Sequence, residues 1–160
     1  MTTRALVFAA KFILVSVPLT WIWIEWGRWA YAPIFMAVSG PIYDFLGIET
    51  FQGGVRERYI NYIPFLVLMV VTPRLGWTRR IGGLLGGCLV IFVFQIAFNG
   101  WVQVAFPGGA GTAEGGFSLY FPAILFSDAL PLILWALICQ DFVSNAASEA
   151  FEKWGLAKRD

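Results

Sequence analysis

The sequence predicts an all-α integral membrane protein. Its expected architecture is a four-helix transmembrane bundle with an outer interfacial segment and a cytoplasmic amphipathic C-terminal helix. Three observations carry this. Of 160 residues, 59% are hydrophobic and 13% charged, whereas soluble domains carry roughly 45–50% and roughly 25%. Four stretches approach the ~20 apolar residues a helix needs to cross a bilayer. Basic residues gather in segments that four crossings place on one side.

The first span is expected over about 5–25, where the apolar run from Ala5 is broken only by Lys11. Lys11 can extend its stem to the inner headgroups. "TWIWIEWGRWAY" (20–31) follows as an aromatic belt, whose amphipathic rings settle at headgroup level. "AYA" at 30–32 has the small-residue pattern of a signal cleavage site. Pro33 follows it directly and the apolar run exceeds a usual signal core, so cleavage is not expected. From 28 to 47, apolar patches alternate with Pro33, Gly40, Pro41 and Asp44. That stretch reads as a re-entrant or interfacial segment rather than a second crossing.

The second span, about 57–73, has a short apolar core with Asn61 and Pro64 near its start. The third runs over about 81–106. "GGLLGG" near its beginning gives two small-xxx-small pairs, Gly82/Gly86 and Gly83/Gly87. Such pairs allow close backbone approach, within the bundle or against a partner subunit. "PGGAGTAEGG" (107–116) is a turn-rich loop. The fourth span covers about 117–139. A tail helix over about 141–155 places Phe142, Val143, Ala146, Ala147, Ala150, Phe151 and Trp154 on one stripe, with Gly155 as its stop.

Orientation follows from the arginines and lysines. Arg4 and Lys11, then Arg74, Arg79 and Arg80, then Lys153, Lys158 and Arg159 share one side if there are four spans. Only Arg28, Arg56 and Arg58 stand on the other, beside Glu25, Asp44, Glu49, Glu57 and Glu114. This points to a multi-pass protein of the cytoplasmic membrane with both termini cytoplasmic.

The chain has no histidine. That removes the commonest general base, metal ligand and partner of a nucleophilic serine or cysteine. Cys88 and Cys139 stand in apolar runs, where a thiol is inert. Net charge is +1, which argues against nucleic-acid binding. No metal or cofactor is expected, and no catalytic residue is assigned.

The polar residues inside the spans need an account, because buried ionisable groups in membranes are costly and raise a functional hypothesis. Asp128 stands eleven residues past Phe117, roughly 16 Å along the helix. Gln95 and Asn99 occupy the outer half of the third span, and Arg56, Arg58 and Asn61 the outer mouth of the second. Together the six form a candidate outward-facing polar pocket. The simpler account makes them interhelical hydrogen-bonding glue, with Arg56 and Arg58 as interfacial anchors.

The run from "RYINYIPFLVLMVVTP" through "RLGWTRRIGGLLGG" to "IFVFQIAFNGWV", roughly residues 56–104, resembles part of the exosortase/archaeosortase family. Those multi-span enzymes process carboxy-terminal sorting signals of exported proteins. The shared features are an outer polar mouth, a short arginine-rich inner loop, a small-residue third span and an asparagine near its outer end. The family's enzymes use a cysteine, an arginine and usually a histidine near the outer face. Here Tyr59, Ile60, Asn61 and Tyr62 occupy the outer mouth, and Val102 stands where an arginine would follow Asn99. Only Asn99 carries over. In size and in "NYIPFLVLMVVTPRLGW", the chain is similar to small exosortase-associated membrane proteins. The resemblance implies a non-catalytic accessory subunit of a protein-sorting system, bound in the bilayer to a membrane-protein partner or to copies of itself. Two alternatives stay open. One is a small transporter or channel subunit using Asp128. The other is a divergent enzyme working from the outer pocket, with Arg58, Asn99 and Asp128 as oxyanion binder, orienter and acid/base.

Overall fold

A computed structural model describes residues 3–48, 62–73, 75–105 and 116–153, with side chains over 6–48, 62–73, 75–105 and 125–148. The described residues form α1 (Thr3–Ile22), a π-helical turn (Trp23–Gly27), α2 (Arg28–Phe45), α3 (Tyr62–Val71), α4 (Trp77–Ala105), α5 (Gly116–Ile138) and α6 (Gln140–Lys153). No strand occurs among them. Two helices are long and apolar enough to cross a membrane, Leu6–Phe45 and Trp77–Ala105. A third crossing is possible through Leu125–Ile138 and Gln140–Ser148, which bend by 89° at Cys139. Large apolar side chains face outward on every long helix, among them Leu14 at 75% exposure and Leu85 at 70%. Exposure on that scale suits a lipid surroundings rather than water.

The greatest departure from expectation lies at 23–45. The sequence reads as a span that stops near residue 25 and a broken segment after it. The structure shows helix throughout, with one π turn between α1 and α2. At that turn the Arg28 N–H reaches the carbonyl of Trp23, five residues back. Gly27 makes the turn possible, because a Cβ there would sit 2.6 Å from the Trp23 ring. Pro33 and Pro41 stand inside α2. Each removes one backbone donor, a loss that membrane helices tolerate when neighbours satisfy the freed groups. Proline and glycine therefore mark a change of helical register here, not an end.

Helix α3 is the centre of the fold. Phe65, Val67 and Met69 are fully buried, and α1, α4 and α5 all pack on it. Its ten residues rise only about 15 Å, and the part of the expected second span before Tyr62, 57–61, lies outside the described residues. The α3–α4 pair is antiparallel and close because α4 presents Gly83 and Gly87 to it. A Cβ on Gly87 would overlap the Phe65 ring, and one on Gly83 would lie 2.7 Å from Met69 Cε. Lipid tails are as apolar as leucine, so close van der Waals packing and hydrogen bonds must hold these helices together.

Helix direction follows from side-chain pairs. Phe8 of α1 meets Phe142 of α6 at 5.7 Å between ring centroids, and Trp23 meets Tyr62 at 5.9 Å. The start of α1, the α3–α4 turn, and the α5–α6 corner therefore share one end of the bundle. That shared end carries Lys11, Arg79 and Arg80. Helix α2 crosses α4 obliquely. Its Tyr31 meets Phe92 and Gln95 while its Tyr43 meets Ile96 and Gly100, so a rise of about 18 Å on α2 covers about 12 Å of α4.

Candidate functional site

Three helices converge on the hydroxyl of Tyr31. It donates to Gln95 Oε1 at 2.5 Å and lies 3.1 Å from the Tyr62 hydroxyl. Because the Tyr31 hydrogen goes to Gln95, Tyr62 is the donor of the second bond. The Tyr31 ring is walled by Trp23, Phe35, Tyr62 and Phe92, with centroids 5.4–6.0 Å away. Gln95 is 5% exposed, and its Nε2 has no hydrogen-bond partner among the described residues. Asn99, one turn on, donates through Nδ2 to the Gln95 carbonyl at 2.7 Å. Farther along α4, Gly100 leaves space for the buried ring of Tyr43, whose hydroxyl donates to the Ile96 carbonyl at 2.7 Å.

This cluster ties α2, α3 and α4 together through neutral groups. Phenols and amides exchange hydrogen bonds well in a low-dielectric interior. They carry no charge near neutral pH and hold no proton that leaves easily. The arrangement suits bracing and hydrogen-bond recognition better than proton transfer.

Of the six residues read as an outward pocket, the structure brings Gln95 and Asn99 together. Asp128 is exposed on α5 and makes no hydrogen bond or ion pair among the described residues. Arg56, Arg58 and Asn61 lie outside the described residues. The glycines divide. Gly83 and Gly87 face α3 and α5, whereas Gly82 and Gly86 have open space where a Cβ would stand. Cys139 is buried, with its sulfur 4.0 Å from that of Met69, and Cys88 is partly buried. No group of three or more His, Cys, Asp or Glu that could hold a metal is found among the described residues.

A second constellation closes the opposite end of α3. Thr72 Oγ1 donates to the Leu68 carbonyl at 2.5 Å and accepts from Trp135 Nε1 at 2.8 Å. Arg80 Nη2 donates to the Thr72 carbonyl at 2.8 Å. The Leu68 carbonyl also accepts from the Thr72 N–H at 3.0 Å, so it is the Arg80 bond that satisfies a carbonyl the end of α3 leaves open. Arg79 and Asp141 then pair at 2.5 Å, joining α4 to α6. An apolar groove of about 340 Å³ lies at the α4–α5 seam, lined by Phe94, Ala97, Phe98, Trp101 and Phe126.

Sequence reasoning found Gln95 and Asn99 but missed Tyr31, Tyr62, Thr72 and Trp135. Tyr31 and Tyr62 stand where the interfacial belt and span mouth were drawn, and such positions read as anchors. Thr72 had a usable signal. A threonine that ends an apolar helix just before proline has open carbonyls around it. Comparison with family models, curated proteins and solved structures finds no match for this chain.

Proposed function

We propose that the chain is a non-catalytic accessory subunit of an exosortase-type protein-sorting system. In this reading it is a four-span bundle of the cytoplasmic membrane with both termini cytoplasmic, and it binds a membrane-protein partner that carries the chemistry. The observation that carries the reading is how the converging polar groups are used. Tyr31, Tyr62, Gln95 and Asn99 bond to each other or to backbone across α2, α3 and α4, as a scaffold's braces do. The resemblance of residues 56–104 to the sorting enzymes supports the system. The common end of Lys11, Arg79 and Arg80 supports the orientation through the positive-inside rule.

The test is a pull-down of the tagged protein from its own host in gentle detergent, read by mass spectrometry. The expected result is a stoichiometric membrane partner bearing its own outer-face cysteine, arginine and histidine. Recovery of the chain alone, or with copies of itself only, overturns the proposal.

A further inference from the structure

We propose that the π turn between α1 and α2 is a register switch, whose relaxation to α-helix turns α2 by one residue on α4. The proposal is independent of the accessory-subunit reading.

The turn holds one surplus residue. The Arg28 N–H reaches the carbonyl of Trp23, five residues back, where an α-helix closes on the fourth. Gly27 seats the Trp23 ring, which lies 2.6 Å from where a Cβ would stand. Relaxing the turn returns the surplus residue to the helix, and each residue of α2 then takes the place of the one after it. Helical hydrogen bonds are exchanged rather than lost, and single π turns inside α-helices are frequent at functional sites.

The sequence of α2 suits both registers. In the register seen, Tyr31, Phe35, Ser39 and Tyr43, spaced by four, form the row that packs on α4. One position earlier stand Ala30, Ile34, Val38 and Ile42, with the same spacing and no charge. They are exposed, the last three by 42–59%. On slipping they replace the first row against α4. Ser39 then stands where Gly40 is now, and a Cβ at that place meets nothing within 4 Å.

Polar satisfaction sets the balance between the two. The register seen gains the bonds of Tyr31 with Gln95 and Tyr62, and of Tyr43 with the Ile96 carbonyl. It also leaves Ser39 Oγ and Gln95 Nε2 buried with no hydrogen-bond partner among the described residues. A buried orphan carries its full desolvation cost. The slip moves Ser39 out of its buried place, gives up the tyrosine bonds and packs aliphatic carbon instead. These opposing terms make a two-state element of the kind that switches use. Tyr31 leaves Gln95 as α2 turns, so the polar cluster opens and closes with the turn.

The experiment puts photo-leucine at position 34 or 42 of the full chain, purified and held one copy to a lipid nanodisc. On irradiation its carbene joins whatever it touches. In the register seen these positions meet lipid, and in the slipped one they meet α4. The expected result is both kinds of adduct, with the protein adducts mapping to α4 near Phe92 from 34 and near Gly100 from 42. Deleting Ile24 removes the surplus residue and locks the register seen. It should abolish the α4 adducts from 34 and 42, while photo-leucine at 35 still joins α4. Gly27→Ala crowds the Trp23 ring and should raise the ratio of α4 to lipid adducts about fivefold or more. Size-exclusion elution checks that each variant folds; if the deletion does not, Gly27→Ala decides alone. Lipid adducts alone from the parent, a ratio that neither variant moves, or loss of the 35 adduct in a folded deletion variant would each overturn the proposal.

Discussion

Helix α4 carries two glycine pairs of identical spacing, and they do opposite things. Gly83 and Gly87 lie against Met69, Ile138 and Phe65, with no room for even one more carbon. Gly82 and Gly86 are exposed and meet nothing within 4 Å. One pair sets the distance between α3 and α4, while the other lies outside that contact. The difference teaches that spacing decides which residues share a face, but not which face meets a neighbour. That second choice is made by the partner side chains, chiefly Phe65, which needs a hole and finds one at Gly87.

Substitution should expose the contrast most strongly at Gly87. Gly87→Val forces branched carbons into the fully buried Phe65 ring. Overpacking of this kind costs about 1–3 kcal/mol, read as a lower midpoint of thermal unfolding in mild detergent. Gly86→Val should stay within about 0.5 kcal/mol of the parent. Gly86→Ala should gain a few tenths, because glycine is a poor interior helix residue by about 0.5–1 kcal/mol. If the two valine variants are equally unstable, α4 is not oriented as described.

A second contrast sets the two polar constellations against each other. Tyr31→Phe leaves Gln95 Oε1 without its donor and Tyr62 without its acceptor, so it should destabilise by about 1 kcal/mol. Adding Gln95→Leu should recover part of that loss, since removing both partners leaves fewer buried orphans. The coupling is measured by the double-mutant cycle. Trp135→Phe at the other end removes one indole donor from Thr72, whose hydroxyl keeps its bond to the Leu68 carbonyl. Its cost should be smaller, about 0.5 kcal/mol. A Trp135 effect exceeding that of Tyr31 would move the anchor of α3 from its Tyr62 end to its Thr72 end.

How much of this was legible follows the same line. The all-helical fold and two or three helices long and apolar enough to cross a membrane were readable from composition and run length, because bilayer thickness fixes them. The tail helix was readable from its stripe up to residue 153, where the described residues stop. The continuity of α1 into α2 was not readable, because Pro33, Gly40 and Pro41 carry the same breaker signals whether the chain turns or continues through a π turn. Deciding it took the seating of the Trp23 ring over Gly27, a contact within five residues that no periodicity reports. At the candidate site, Gln95 and Asn99 stood out because amides are rare in apolar runs. Tyr31 did not, since an interfacial tyrosine is ordinary until another helix brings Gln95 to its hydroxyl.

The smallest expected effect concerns the α4–α6 joint. Arg79 and Asp141 form a short ion pair, but their side chains are 45% and 70% exposed. An exposed pair gains little Coulomb energy and orders two long side chains, so its net worth is about 0.2–1 kcal/mol and falls with salt. The apolar contacts of Phe142 with Phe8 and Trp135 hold the same corner without that sensitivity. Arg79→Ala should therefore lower stability by no more than about 0.5 kcal/mol, and the difference should vanish at high salt. Phe142→Ala should cost more and keep its cost there. A thermal-unfolding series across ionic strength separates them. If Arg79→Ala proves the more damaging at high salt as well, the 89° corner is held by charge rather than by its aromatic contacts.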